Sequence, residues 1–236
     1  MPTDKSFGFV PLPFGTPICA ADAARKRGYM IAIIDYGVGN LFSLSHSLTS
    51  IGAQVEVTGD AARILAADHV ILPGVGAFGD AAAKLRETGL DAVVKQAAAN
   101  GTPIMGICLG MQLLLTKSYE FGEHAGLDLI PGEVRPISEV IPSDYKIPHI
   151  DWNALNVTRR HPIFRDIRPG DCVYFVHSYY GADCGDALLA TAEYGADLTA
   201  AVGRGNVAGC QFHPEKSGDV GLGILRQFCN WDGVEA

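Results

Sequence analysis

Several features that would mark whole classes of protein are missing from this 236-residue chain. It has no basic excess: 18 Lys and Arg stand against 26 Asp and Glu, a net charge of −8. It therefore lacks the cationic footprint that a phosphate backbone demands, and nucleic acid is excluded as a main partner. No run approaches the 18 or so apolar residues of a membrane span; the nearest, residues 103–115, is broken by Gly and polar side chains. The six cysteines (Cys19, Cys108, Cys172, Cys184, Cys210 and Cys229) include no C-x-x-C pair, and no His falls at zinc spacing beside them. A structural metal site is not indicated, and a chain of this length needs no disulfide framework. Reduced thiols fit a cytoplasmic setting. There is also no internal repeat and no low-complexity tract. What remains is an ordinary globular mix, 48% hydrophobic and 19% charged, able to bury a core.

Residues 1–29 differ from the rest. Pro2, Pro11, Pro13 and Pro17 break any helical signal segment, and Arg25-Lys26-Arg27 follows the apolar stretch instead of preceding it. The segment reads as a flexible N-terminal extension, and residues 30–236 as one domain.

From Met30 onward, short apolar runs alternate with helical periodicity. Strands are expected at 30–35, 54–57, 69–72 and 104–107, and helices at 41–51, 60–66, 79–88, 90–99 and 109–117. The apolar runs suit parallel strands buried on both faces, with Gly52 and Gly101 as helix stops. The second half is richer in strand, near 134–137, 147–152, 172–180, 188–194, 199–202 and 207–212, before a closing helix at 218–231. This pattern predicts an α/β fold: a mostly parallel central sheet flanked by helices, with added antiparallel strands.

Four segments carry chemistry. In Asp35-Tyr36-Gly37-Val38-Gly39-Asn40 a strand is followed by Gly-x-Gly, but Phe42 stands where a dinucleotide fingerprint requires a third Gly. A tight strand-to-helix turn explains it. Gly106-Ile107-Cys108-Leu109-Gly110-Met111-Gln112 lies between a strand and a helix. That is the layout of a nucleophile elbow, where a sharp turn lifts the side chain off the sheet and the helix start favours a thiolate. A buried structural thiol on a Gly-rich turn would give the same string. Gln211-Phe212-His213-Pro214-Glu215 leaves a strand near the C-terminus. A thiol nucleophile needs a base and the base needs an orienter; two residues apart on extended backbone, His213 and Glu215 point the same way. Taken alone the pair could equally be solvated. Leu72-Pro73-Gly74-Val75-Gly76-Ala77-Phe78 ends a strand at the edge where open α/β sheets bind ligands, and its glycines let backbone N–H groups approach a substrate.

With these residues the elbow 106–112 and His213-Pro214-Glu215 resemble the class I (triad) glutamine amidotransferases, a flavodoxin-like three-layer fold. More narrowly, Ile33-Ile34-Asp35-Tyr36-Gly37-Val38-Gly39-Asn40-Leu41, residues 72–78, Pro148-His149 with Trp152-Asn153, His177-Ser178-Tyr179-Tyr180 and residues 213–217 resemble the glutaminase subunits of imidazole glycerol phosphate synthases. The likeness spans residues 30–236. It implies Cys108 as nucleophile, His213 as acid/base and Glu215 as its orienter. The oxyanion donors would come from Leu109 and the Gly74-Val75 segment. Gln112, Ser178 and Tyr179 would hold the amino-acid end of L-glutamine. Trp152, Asn153 and Lys216 would face a (β/α)8-barrel cyclase subunit in a heterodimer, fed with ammonia. No metal and no organic cofactor is implied. Asp151, just before Trp152-Asn153, is grouped with them at that interface and departs from the family, which has Gly there. Two other classes remain open on the residues alone: a redox or stress protein with a reactive elbow cysteine, and an idle regulatory partner.

Overall fold

The computed structural model describes residues 29–234, so the extension read in residues 1–29 lies, save Tyr29, outside the described residues. The chain runs β1 (Met30–Ile34), α1 (Leu41–Ser50), β2 (Gln54–Thr58), α2 (Ala61–Ala66), β3 (His69–Leu72), α3 (Phe78–Glu87), α4 (Leu90–Ala99), β4 (Ile104–Ile107) and α5 (Leu109–Leu114). Next come β5 (Lys117–Ser118), β6 (His124–Ala125), β7 (Glu133–Pro136), β8 (His149–Ala154), β9 (Asn156–Val157), β10 (Cys172–His177) and β11 (Tyr179–Ala182). The last elements are β12 (Leu188–Glu193), β13 (Asp197–Arg204), β14 (Val207–Cys210) and α6 (Gly218–Cys229).

An eight-stranded sheet in the order β2-β1-β3-β4-β14-β13-β12-β9 forms the centre. Its first five strands are parallel and the rest antiparallel. Alternate residues of one strand feed opposite faces, as the period of two requires. Ala32 and Ile34 of β1, with Val70 and Leu72 of β3, pack on one side against Ile64, Leu85 and Val94 from α2, α3 and α4. Ile31 and Ile33, with Ile71 of β3, pack on the other side against Leu44 and Leu48 of α1 and Ile224, Leu225 and Phe228 of α6. Helices thus cover both faces, giving three layers. Local signals agree with this: Asp60 caps α2, its Oδ1 accepting from Arg63 N at 3.0 Å.

The run 172–180 is two strands, not one. β10 pairs antiparallel with β8 as a separate ribbon, whereas β11 joins β7, β5 and β6. Ser178 is the break between them, so the chain changes sheets where it meets the site. The expected helix 109–117 also stops at Leu114, because Leu115 is extended and Lys117 pairs with Ala125 and Glu133. The two-residue strands β5, β6 and β9 are too short to show a period in sequence.

β3, β4 and β14 are neighbours in the sheet, and the loops leaving their C-terminal ends lie side by side. This topology brings Gly74, Cys108 and His213 to one place.

Candidate active site

Cys108 sits between β4 and α5 with φ 55° and ψ −113°, a backbone region that a side chain adopts only when its surroundings hold it there. The flanking glycines supply room. A Cβ on Gly106 would lie 2.7 Å from the Gly110 carbonyl, and one on Gly74 only 2.8 Å from Gly110 N. Loop 72–76 therefore packs directly on the elbow. Tyr36 fastens it by donating to the Pro73 carbonyl at 2.8 Å, and burial pushes the Tyr36 pKa far up, with the Cys108 charge adding to it.

Next to Cys108 lies His213, 4% exposed. Its Nδ1 meets Glu215 Oε1 at 2.8 Å, and both side chains are almost wholly buried. They meet by a tighter route than extended backbone: Pro214–Lys216 forms a 3₁₀ turn, because Pro214 fixes the first helical φ and brings Glu215 back under the ring. Burial alone would lower the His213 pKa. Hydrogen bonds to Cys108 and Glu215, with their charges, outweigh it and raise the pKa to about 9. At neutral pH the ring is a cation beside the sulfur.

A cavity of about 450 Å³ opens on Cys108 and His213. Val75, Leu109, Gln112, Ser178, Tyr179 and Lys216 of the predicted set line it. Gly74 lies just behind, lining a small hollow with Asn40, His213 and Glu215. Asp151, Trp152 and Asn153 stand apart on β8. Asp151 is exposed and accepts from Trp152 N at 2.7 Å. Trp152 is 51% exposed and meets Tyr174 edge-on at 6.1 Å, while Lys216 Nζ lies 5.8 Å above the same Tyr174 ring. Trp152 and Lys216 thus share one surface beside the cavity mouth. Asn153 donates to the Glu193 carbonyl at 2.6 Å and accepts from Ala154 N, so its amide is committed inside the chain.

Three residues of the site were not singled out in the sequence, two on the cavity wall, Glu120 and His177, and one behind it, Gln211. Glu120 is 8% exposed, its Oε2 accepting from Phe78 N at 2.6 Å; it lies on a loop with no periodic signal. Gln211 is buried, with Nε2 3.8 Å from Cys108 Sγ. His177 is buried and meets the Tyr179 carbonyl through Nδ1 at 2.8 Å. Both belong to motifs quoted above, where only their neighbours drew notice.

Burial lowers the His177 pKa to about 4, against the Tyr179 carbonyl, which favours the charged form; His149 and His213 lower it further. In the unfolded chain this ring protonates near its ordinary value of 6.5. Its contribution to stability is thus complete above about pH 6.5 and lost as pH falls toward about 4, a loss of roughly 3 kcal/mol. Urea unfolding of wild type and His177→Asn at about pH 7 and about pH 4.5 should show the wild type losing more. Equal losses would refute the assignment.

Among the described residues no His, Cys, Asp and Glu group could hold a metal ion, and no helix is long and apolar enough to cross a membrane.

The family model for glutamine amidotransferase class-I matches residues 32–230. The protein named imidazole glycerol phosphate synthase subunit HisH from Moorella thermoacetica is 49% identical over 199 residues, covering 84% of this chain and 93% of that relative. Its namesake from Carboxydothermus hydrogenoformans is 50% identical over 198 residues, covering 84% and 97%. Among solved structures, a chain of PurLQS from Thermotoga maritima matches with a TM-score of 0.68 at 22% identity, covering 86% of this chain and 98% of the other. At that identity the likeness concerns the fold.

Proposed function

The chain belongs to the class I glutamine amidotransferase family, and from that premise we propose that it is the glutaminase subunit of an imidazole glycerol phosphate synthase, acting in histidine biosynthesis. Family membership sets aside the redox and regulatory alternatives. The observation that carries the catalytic reading is the buried line Cys108–His213–Glu215 at the floor of a cavity fit for an amino acid.

In this reading L-glutamine enters with its ammonium toward Glu120, the one Asp or Glu on the cavity wall among the described residues. Ser178 and Tyr179 hold the rest of its amino-acid end, and Gln112, whose NH₂ is taken by the Tyr179 carbonyl and Gln211, offers its side-chain oxygen to the ammonium. The Cys108 thiolate attacks the side-chain amide carbon. The oxyanion that forms takes hydrogen bonds from Leu109 N–H, at the open first turn of α5, and from the Gly74-Val75 segment. Cationic His213, held by Glu215, gives its proton to the departing ammonia, leaving a thioester. The neutral ring then takes a proton from water, and glutamate leaves.

Ammonia passes to a (β/α)8-barrel cyclase subunit, whose docking face on this chain includes Trp152, Asn153, Lys216 and Asp151. The apolar exposure beside the cavity mouth supports this: Ile150, Trp152 and Val75 are 55%, 51% and 42% exposed. The test is to incubate the chain with glutamine, alone and with a cyclase subunit, and measure glutamate. Glutamate formation that rises with the cyclase is expected; none in either case would refute the reading.

Asp151 belongs to the rim of that face, since it is exposed and its carboxylate serves its own strand. Asp151→Gly should leave glutamine hydrolysis by the isolated chain unchanged. Its effect on cyclase affinity should stay well under the roughly 2–5 kcal/mol of a buried charge pair. Titration of both variants with the cyclase checks this, and a loss of basal activity would place Asp151 in the catalytic scaffold instead.

A further inference from the structure

We infer that Gln211 is a further catalytic residue, whose side-chain amide donates a hydrogen bond to the Cys108 sulfur and is aimed there by a chain of hydrogen bonds set by the Tyr179 carbonyl. The inference rests on the reading of Cys108 as the nucleophile.

The direction of the chain follows from one atom that can only accept. Gln112 Nε2 lies 3.2 Å from the Tyr179 carbonyl oxygen, so Gln112 must present its NH₂ there and not its C=O. The same nitrogen lies 2.9 Å from Gln211 Oε1, which uses its second hydrogen. Gln211 must then turn its carbonyl to Gln112, and its NH₂ faces Cys108 Sγ at 3.8 Å. Reversing Gln112 would set its oxygen against the Tyr179 carbonyl, and reversing Gln211 alone would set NH₂ against NH₂, in a region where Gln211 is fully buried and Gln112 nearly so. Such a reversal leaves buried groups unpaired. The backbone at Tyr179 therefore decides which end of Gln211 meets the sulfur.

A donor at that place favours one state of the sulfur. A thiolate accepts a hydrogen bond far better than a thiol does, and charge-assisted bonds are about twice as strong as neutral ones. Gln211 would thus raise the fraction of the attacking form.

Two imidazoles anchor the far end. His177 Nδ1 donates to the same Tyr179 carbonyl at 2.8 Å, and its Nε2 accepts from His149 Nδ1 at 3.0 Å. Both rings thus carry the proton on Nδ1. His149 is clamped between Phe175 and Tyr194, at centroid distances of 5.0 and 4.0 Å. Its remaining Nε2 is a buried acceptor with no partner, as this direction requires. His177 and His149 are positioning residues: they hold the carbonyl from which Gln112 and Gln211 take their orientation.

The experiment is the rate of Cys108 alkylation by iodoacetamide, which reaches the sulfur through the cavity but has no amino-acid end to be held there, in the full-length protein. Cys108→Ala subtracts labelling at other cysteines. Gln211→Leu should alkylate about tenfold more slowly than wild type at about pH 7. At about pH 10, where thiols ionise without help, the two rates should converge. Gln211→Glu, which swaps the donor for a negative charge, should be slower still at neutral pH. His177→Leu should show the same pattern more weakly, and His177→Asn, whose amide can reach the Nδ1 position, should recover the wild-type rate. Equal neutral-pH rates for wild type and Gln211→Leu would overturn the inference, as would a deficit that persists at high pH. Should Gln211→Leu not fold, the His177 pair decides, and an unchanged rate in His177→Leu overturns it. A wild type that alkylates as expected but hydrolyses no glutamine would refute the glutaminase reading alone.

Discussion

Cys108→Ala is expected to lower glutamine hydrolysis by at least 10⁴-fold, on the order seen when a triad nucleophile is removed. The variant should remain folded, since the side chain is small and most of its contacts survive as Ala. In the complex with a cyclase subunit, synthesis from added ammonium should continue, because only hydrolysis uses the thiol. A second readout locates the effect. The Cys108 hydrogen bond and charge help hold the His213 pKa at about 9 against burial, which pulls it down. With the sulfur gone, burial weighs more and the His213 pKa should fall. An NMR titration of the His213 ring measures this directly. Residual hydrolysis near the wild-type rate would show that another group attacks. Loss of ammonium-dependent synthesis as well would mean that Cys108 is structural.

The α/β architecture was legible because its signals are local and repeated. Four-residue apolar runs such as His69–Leu72 and Ile104–Ile107 are strands buried on both faces, as their composition implies. The elbow was legible for the same reason: Gly106, Cys108 and Gly110 fall within five residues, between a strand and a helix. What could not be read is where distant segments meet. Nothing in residues 172–180 says that Ser178 separates two sheets, since both halves are β-formers and the choice of partner is made by β7 and β8. Glu120 shows the same limit. It is a carboxylate in a loop, and only the packing of that loop on Phe78 N makes it part of the cavity wall.

His213 and Glu215 show how a correct pairing can rest on the wrong geometry. Alternation along a strand predicts that residues two apart share a face. Here Pro214 turns the chain into a 3₁₀ helix, and the contact is made across that turn. The distinction matters for substitution: Pro214 is part of what sets the 2.8 Å bond, so a flexible residue there would loosen the orienter without touching either charged group.

Gly110→Ala is expected to destabilise the protein by more than about 4 kcal/mol, a loss confined to a few mechanisms such as severe overpacking. The added Cβ would lie 1.9 Å from the Leu72 carbonyl oxygen and 3.2 Å from the Pro73 carbonyl carbon. Both are backbone atoms of the strand end beneath the oxyanion loop, so neither can swing aside as a side chain would. Helix propensity pulls the other way, since Ala in place of Gly within a helix gains about 1 kcal/mol. Contact wins, because relieving a 1.9 Å approach requires α5 to lift from β3, and with it Cys108 from the Gly74 loop. Gly223 in α6 provides the control. A Cβ there meets nothing within 4 Å, so Gly223→Ala should stabilise by about 0.5–1 kcal/mol through propensity alone. Urea midpoints for the two variants should therefore move in opposite directions. If Gly110→Ala unfolds at the wild-type midpoint, the elbow is not packed on the strand end as tightly as the geometry requires. Hydrolysis of glutamine would then also survive in that variant.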